Sequence, residues 1–239
     1  MYKQYIFLLI LSFFSIQGFA AGCPDGSEPV KSVSDDGSYF VFNCSEPVST
    51  PEASYPPGAP IITSDFLDTH NGLGRLRDQI HQGIDIAGDN GQLILAAADG
   101  KVLEATVEKC WGPTIAIDHG KGLDGNKIIA LYGHLGEMLV TANEQVKRGQ
   151  PIASLGNNQN IFECMGGIRH LHFQIGRKYR ATKNNWVNWV YWGWAYFLKD
   201  GSKGVNPHLY WSDGPNKVTC FKPDKKYKLG SLTYPVQCL

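Results

Sequence analysis

Histidine is the residue type best suited to do chemistry in this 239-residue sequence, which contains seven of them. His170 and His172 stand two residues apart in a run where polar and apolar residues alternate as far as Ile175. On a β-strand the apolar residues would be buried and both imidazoles would point to the opposite face, with their backbones roughly 7 Å apart. The pair could therefore converge on a small metal site, although a surface strand can carry the same pattern without any metal role.

A second candidate is the pair His81 and Asp85, which are separated by three residues. On a straight strand the two would lie roughly 13 Å apart, so a shared metal requires the chain to bend, and Gly83 stands where it could do so. Two histidines and a carboxylate are a common ligand set of catalytic zinc, which leaves a fourth position for water. The alternative is a hydrogen-bonded His–Asp pair at a turn.

A third candidate, His134, follows a hydrophobic run that ends at Tyr132 and Gly133. By itself this position is typical of a histidine that is hydrogen-bonded at the end of a strand. The sequence contains no HExxH motif, and this excludes a thermolysin-type site with a glutamate base on a helix.

Taken together, the three motifs resemble the lysostaphin and LytM family of zinc endopeptidases, which cut peptidoglycan cross-bridges. They are HxxxD at His81–Asp85, YGHL at Tyr132–Leu135 and HLHF at His170–Phe173, in that order. The resemblance covers residues 61–176, about half of the chain, and extends to connecting segments such as Ala98–Val102.

The resemblance implies that His81, Asp85 and His172 bind one Zn²⁺ per chain, with His134 and His170 as catalytic residues that do not bind it. Zinc would polarise the scissile carbonyl and activate a water, one histidine would take the proton from that water, and the other would stabilise the oxyanion. The choice of base between the two stays open. His119 also fits the family pattern, as a structural residue, while His70 and His208 match no motif and are expected to be surface or loop histidines. Some family members have lost these residues, so a peptidoglycan-binding module or an activator of a cell-wall hydrolase is the alternative.

The elements that must position these residues are short β-rich runs separated by Gly, Asn and Asp turns. They predict a mainly β, antiparallel, sandwich-like domain over residues 61–180, which the resemblance identifies as a LytM-type metallopeptidase domain with loop insertions. Short helices are expected only near Asp65–Ile80 and Asn143–Arg148. The predicted strands are 93–97, 101–107, 114–118, 127–132, 151–155 and 170–175.

Three further regions flank this domain. Residues 1–21 hold one charge, Lys3, before an apolar run and small residues, which is typical of a secretory signal peptide. Residues 22–60 predict a disulfide-stapled hairpin and a proline-rich linker, and an inhibitory pro-segment there stays open. Residues 181–239 predict an aromatic-rich extension packed on the catalytic domain, with a groove-lining role for its aromatic residues as the alternative.

A signal peptide implies export to the periplasm or the extracellular space, where the six cysteines would form disulfides. The favoured pairing is sequential: Cys23 with Cys44, Cys110 with Cys164, and Cys220 with Cys238. After the signal no segment is long and apolar enough to span a bilayer, and we expect a monomer.

The charge balance bears on the partner. The chain has 22 basic and 22 acidic residues and a formal net charge of zero, so it offers no overall field for a polyanion and nucleic acid is not the expected partner. The expected partner is the peptide part of peptidoglycan, with the choice between glycine bridges and D-alanyl cross-links left open.

Overall fold

The part of the chain that the structure describes is built almost entirely of short β-strands. The computed structural model describes residues 30–33, 40–43, 52–77, 80–108, 111–162, 165–177, 179 and 204–239. The strands are Val30–Val33 (β1), Phe40–Asn43 (β2), Ile62–Ser64 (β3), Ile84–Ala87 (β4), Leu93–Leu95 (β5), Gly100–Glu108 (β6), Gly112–Lys121 (β7), Lys127–Gly133 (β8), Gln145–Val146 (β9), Pro151–Ser154 (β10) and His170–Gly176 (β11). Among these residues no helix is long and apolar enough to cross a membrane.

The chain divides into two units between Thr50 and Pro51. In the first unit β1 and β2 pair antiparallel, with Val30 opposite Asn43, at the place where the sequence predicts a hairpin. Cys23 and Cys44 lie outside the described residues, so their disulfide stays a prediction.

The second unit contains a seven-stranded sheet in the order β3-β4-β11-β8-β7-β6-β9 and a small sheet of β5 and β10. Every pairing between these strands is antiparallel, which confirms the predicted fold class. The six predicted strands are present as β5, β6, β7, β8, β10 and β11. Because β11 lies between β4 and β8, the sheet brings all three histidine motifs to neighbouring strands.

The expected helix near Asp65–Ile80 is wrong. Its described residues form turns and an isolated bridge between His70 and Leu76. The Asn71 side chain accepts hydrogen bonds from the backbone N–H groups of Leu73 and Arg75 and so competes with helical hydrogen bonding.

The expected helix at Asn143–Arg148 is also wrong. Asn143 has φ 74°, a left-handed conformation that a right-handed helix cannot include, and the segment continues as β9 and a turn. The described residues contain a 3₁₀ turn at Pro207–Leu209.

The two faces of β11 have different neighbours. Leu171, Phe173 and Ile175 belong to the main hydrophobic core, which separates them from the histidines on the opposite face as predicted. Residues 204–239 fill the same core, because the Trp211 ring stacks on Phe173 at 6.5 Å between centroids. The histidine face is buried as well, and His172 is only 7% exposed.

Residues 204–239 are also tied to the sheet by polar contacts. The guanidinium of Arg148 donates to the carbonyl oxygens of Ala97 at 2.8 Å and Ser231 at 2.7 Å. The predicted Cys220–Cys238 disulfide is present. Cys110, Cys164 and most of the aromatic segment before Gly204 lie outside the described residues.

Candidate metal centre

The bend at Gly83 brings His81 beside Asp85. β4 begins at Ile84, immediately after the bend, and His81 Nε2 lies 3.1 Å from Asp85 Oδ1. A Cβ atom on Gly83 would lie 2.6 Å from the Phe173 carbonyl oxygen and 3.0 Å from His172 Nε2. Glycine is therefore needed here so that the bend can pack against β11.

His172 completes a cluster of three possible ligands. In the register of the sheet it stands directly opposite Asp85 on β4. His172 Nδ1 lies 2.9 Å from Asp85 Oδ1 and 3.1 Å from His81 Nε2. All three side chains are buried, and their candidate ligand atoms lie within 4.8 Å of one another, which is close enough to share one ion.

His170 and His134 border this cluster. His170 Nε2 lies 3.6 Å from Asp85 Oδ1. His134 follows β8, and its ring centroid lies 4.8 Å from that of His170 and 5.9 Å from that of His172. The structure thus brings together all five residues that the resemblance singles out, while their individual roles stay predictions.

Hydrogen bonds fix which ring nitrogen of three histidines carries the proton. In each ring Nδ1 faces a backbone carbonyl oxygen, which can only accept, so the neutral ring is protonated at Nδ1 and keeps a lone pair at Nε2. The pairs are His81 with Asp65 at 2.8 Å, His134 with Trp111 at 3.0 Å and His170 with Ile168 at 2.9 Å.

His172 is held in the opposite tautomer. Its Nε2 donates to Gln174 Oε1 at 3.1 Å, and Nδ1 keeps the lone pair that faces Asp85. With both rings neutral, the lone pairs of His81 Nε2 and His172 Nδ1 face one carboxylate oxygen. A cation stabilises such a group of acceptors, and two imidazoles with one carboxylate fit Zn²⁺.

Arg77 holds the other oxygen of Asp85. Its Nη2 donates to Asp85 Oδ2 at 2.7 Å and to Ser64 Oγ at 2.9 Å, which leaves Oδ1 to face the histidines. Burial alone would raise the pKa of Asp85, but His170, His81 and His172 hold it well below its usual range. The carboxyl group is therefore ionised at neutral pH.

His134 combines an unusual backbone with a buried ring. Its φ of 64° lies in the left-handed region, which is costly for a residue other than glycine and is found mainly at functional sites. Burial, with smaller contributions from His170 and His172, lowers the pKa of the His134 imidazole well below its usual range. The ring is neutral, and its free Nε2 can accept a proton.

The other three histidines, His119, His70 and His208, lie outside the cluster. His119, predicted to be structural, bonds to the Tyr132 hydroxyl at 2.9 Å, and His70 is exposed as predicted. Of the two positions expected for His208, the surface one is wrong: the residue lies in the turn at Pro207–Leu209, but its ring is only 3% exposed and its Nε2 lies 2.9 Å from Asp65 Oδ1. No spacing in the sequence points to this contact, which joins residues 143 positions apart.

A cleft of about 630 Å³ lies beside the cluster. One part of its wall is residues 87–89, which follow the strand of Asp85, and another is residues 167–169, which precede His170. Residues 58–61 and Leu239 line it as well. The cleft is therefore lined by residues that neighbour Asp85 and His170 in sequence, and none of the five site residues belongs to its wall.

Known proteins match this part of the chain. Residues 79–187 match the model of peptidase family M23. The murein hydrolase activator NlpD of Escherichia coli is 36% identical over 103 residues, which are 43% of this chain and 24% of that protein. The murein hydrolase activator EnvC of the same species is 33% identical over 101 residues, 42% of this chain and 22% of that protein.

The matched part of this chain spans about a quarter of the length of those relatives. Among solved structures, the catalytic domain of a mutant of the prophage-encoded M23 protein EnpA from Enterococcus faecalis is 19% identical, with a TM-score of 0.43 over 65% of this chain and 94% of that chain. The family match covers all five predicted site residues, with His81 near its start. Residues 79–187 of this chain are therefore similar to peptidase family M23, the family that the three motifs resemble.

Proposed function

We propose that this chain is a zinc metalloendopeptidase that hydrolyses peptide cross-links of bacterial peptidoglycan. The observation that carries the proposal is the convergence of nitrogen atoms from three histidines, His81, His170 and His172, on one oxygen of Asp85 in a buried site. A site built only for packing would not bury three imidazoles around one carboxylate, because these polar groups lose their hydrogen bonds to water there.

In this proposal His81, Asp85 and His172 hold one Zn²⁺. Bound zinc supplies Lewis acidity toward the scissile carbonyl and lowers the pKa of a water molecule toward neutrality. Arg77 keeps Asp85 in a fixed orientation with Oδ1 toward the site. The Gln174 amide and the Asp65 carbonyl keep the histidine ligands in the tautomers that leave the correct nitrogen free.

In the same proposal His134 and His170 are the groups that accept a proton from the attacking water and donate one during the reaction. Each ring is anchored through Nδ1 to a backbone carbonyl, so only Nε2 can exchange a proton with a substrate or a water. A neutral ring acts as base at Nε2, and once protonated it becomes a donor that can stabilise an oxyanion or protonate the leaving nitrogen. The two rings lie side by side and divide these roles between them.

The names of the relatives support peptidoglycan as the substrate, because NlpD and EnvC are both described as murein hydrolase activators. We further propose that the protein is exported, acts as a monomer in the periplasm or outside the cell, and does not bind nucleic acid.

The second candidate is a non-catalytic activator of a cell-wall hydrolase, and the names of the same relatives favour it. An activator needs a binding surface but no poised base. The complete set of ligand and base candidates in this chain favours catalysis.

Digestion of peptidoglycan separates the two candidates. Purified protein without its signal is incubated with peptidoglycan that has D-alanyl cross-links and with peptidoglycan that has glycine bridges, with and without a chelator. Mass spectrometry of the products should reveal new peptide ends from one of the two, and the chelator should abolish them. Binding to either wall without any new ends would overturn the catalytic proposal and support the activator.

A further inference from the structure

The buried histidine at position 208 lies outside the segment that matches the family, yet it is connected to the metal centre. The ring is 3% exposed, and both of its nitrogens have partners. Trp211 Nε1 donates to His208 Nδ1 at 3.0 Å, so His208 carries its own proton at Nε2 when neutral. That Nε2 donates to Asp65 Oδ1 at 2.9 Å.

Asp65 in turn belongs to a tight turn that encloses His81. Its carbonyl oxygen accepts the bond from His81 Nδ1 at 2.8 Å. The backbone N–H of Leu67 donates to the carbonyl of His81 at 2.8 Å, and the backbone N–H of His81 donates to the carbonyl of Asp68 at 3.0 Å. The turn thus fixes both the backbone and the ring of His81.

This turn is strained and needs support. Leu67 has φ 69°, a left-handed conformation that costs a residue with a side chain about 1–3 kcal/mol and persists only where neighbouring structure holds it. The side chain of Asp65 is 48% exposed, and within the turn its Oδ1 accepts a hydrogen bond from the backbone N–H of Phe66 at 2.6 Å. His208, anchored to the fully buried Trp211, adds a partner from outside the turn and ties the turn to the core.

We propose that His208 is a positioning residue for His81 and that it acts through the Asp65 turn. The inference rests on the proposed function in that it takes His81 as a zinc ligand. Residues that orient a metal ligand through its second ring nitrogen influence the affinity for the metal about 10–100-fold when they are changed. His208 contacts Asp65 and not His81 itself, so we expect its loss to weaken zinc binding by about tenfold, near the lower end of that range.

The test measures zinc affinity by competition with a chelator and, separately, thermal unfolding of the metal-free protein. We expect His208→Leu to weaken zinc binding about tenfold, and His208→Gln, whose amide N–H can still reach Asp65, to recover most of it. His70→Leu is the matched control, since His70 is exposed and its ring contacts Thr69. A purely structural role would lower the unfolding temperature of the metal-free protein and leave zinc affinity unchanged.

A double-mutant cycle tests whether His208 acts on His81 through Asp65. Asp65→Ala removes the exposed carboxylate but keeps the carbonyl that faces His81. We expect the double variant with His208→Leu to bind zinc no more weakly than the weaker single variant. Additive losses, or wild-type affinity in both single variants, would overturn the inference while the proposed function stands. A wild-type protein that binds no zinc would overturn both.

Discussion

At the scale of single residues, Asp85 is the centre of the site because its two oxygens have separate tasks. Oδ1 faces His81, His170 and His172, while Oδ2 is held by Arg77. The motifs in the sequence identify Asp85 and the histidines. They give no signal for Arg77, since its contact depends on a turn whose course the sequence did not predict.

Loss of Arg77 should weaken the metal site. In Arg77→Gln the charged donor to Asp85 Oδ2 is removed, so the carboxylate is less firmly oriented and less well compensated. We expect the affinity for zinc, measured by chelator competition, to fall about tenfold. Arg75→Gln is the control because Arg75 is exposed on the same loop. Equal zinc affinity in both variants would contradict the role given to Arg77.

At the scale of elements, antiparallel pairing of β11 with β4 and β8 assembles the site. Alternation and turn residues predict six strands of the second unit, because each carries a clear apolar run between turns. They are β5, β6, β7, β8, β10 and β11. The sequence does not predict β3, β4 and β9, which are three, four and two residues long, and it predicts two helices that do not form. Local side-chain bonds at Asn71 and a left-handed Asn143 prevent those helices.

The bend at Gly83 should tolerate no side chain. In Gly83→Ala the new methyl group would lie 2.6 Å from the Phe173 carbonyl, so β4 must shift away from β11. We expect the free energy of unfolding, from urea denaturation, to fall by about 2 kcal/mol. The matched change Gly72→Ala places its methyl 3.3 Å from the flexible Ile168 side chain and should cost less. The reverse order of the two losses would argue against the packing described for Gly83.

His119 on β7, which contacts the Tyr132 hydroxyl on β8, should make the stability of the fold depend on pH. Burial is the largest cause that lowers the pKa of His119 to about 4. The unfolded chain therefore binds more protons than the native state between about pH 6.5 and pH 4, and stability falls as the pH falls through that range. Since the ring is partly exposed, we expect a loss of about 2 kcal/mol.

The measurement is urea denaturation of the metal-free protein near pH 7 and near pH 4. In His119→Gln the loss between the two values should be smaller than in the wild type by that amount. An equal loss in the two proteins would show that other groups cause the pH dependence.

At the scale of the whole molecule, residues 204–239 complete the core and reach the metal centre. Trp211 packs on Phe173 in the core and also anchors His208. The sequence predicts an aromatic-rich extension packed on the domain, but it predicts only a surface or loop position for His208 and not its burial. The burial of His208 could not be predicted from the sequence, because the ring contacts Asp65, in a turn 143 residues earlier in the chain.

Removal of the Cys220–Cys238 disulfide should destabilise this C-terminal part. The bridge closes a loop with a sequence separation of 18 residues, for which loop-closure entropy predicts a contribution of about 3 kcal/mol. We expect the double change Cys220→Ala and Cys238→Ala to lower the free energy of unfolding in urea by that order. Reduced and oxidised wild-type protein with the same stability would contradict this expectation.

The central claim is that the histidine cluster is a catalytic zinc site, and the His134→Ala variant tests it most directly. This change leaves His81, Asp85 and His172 in place, so zinc binding and catalysis are separated. We predict one zinc ion per chain in wild type and variant alike, with new peptide ends released from peptidoglycan only by the wild type. Cleavage by the variant at the wild-type rate, or none by the zinc-loaded wild type, would contradict the account.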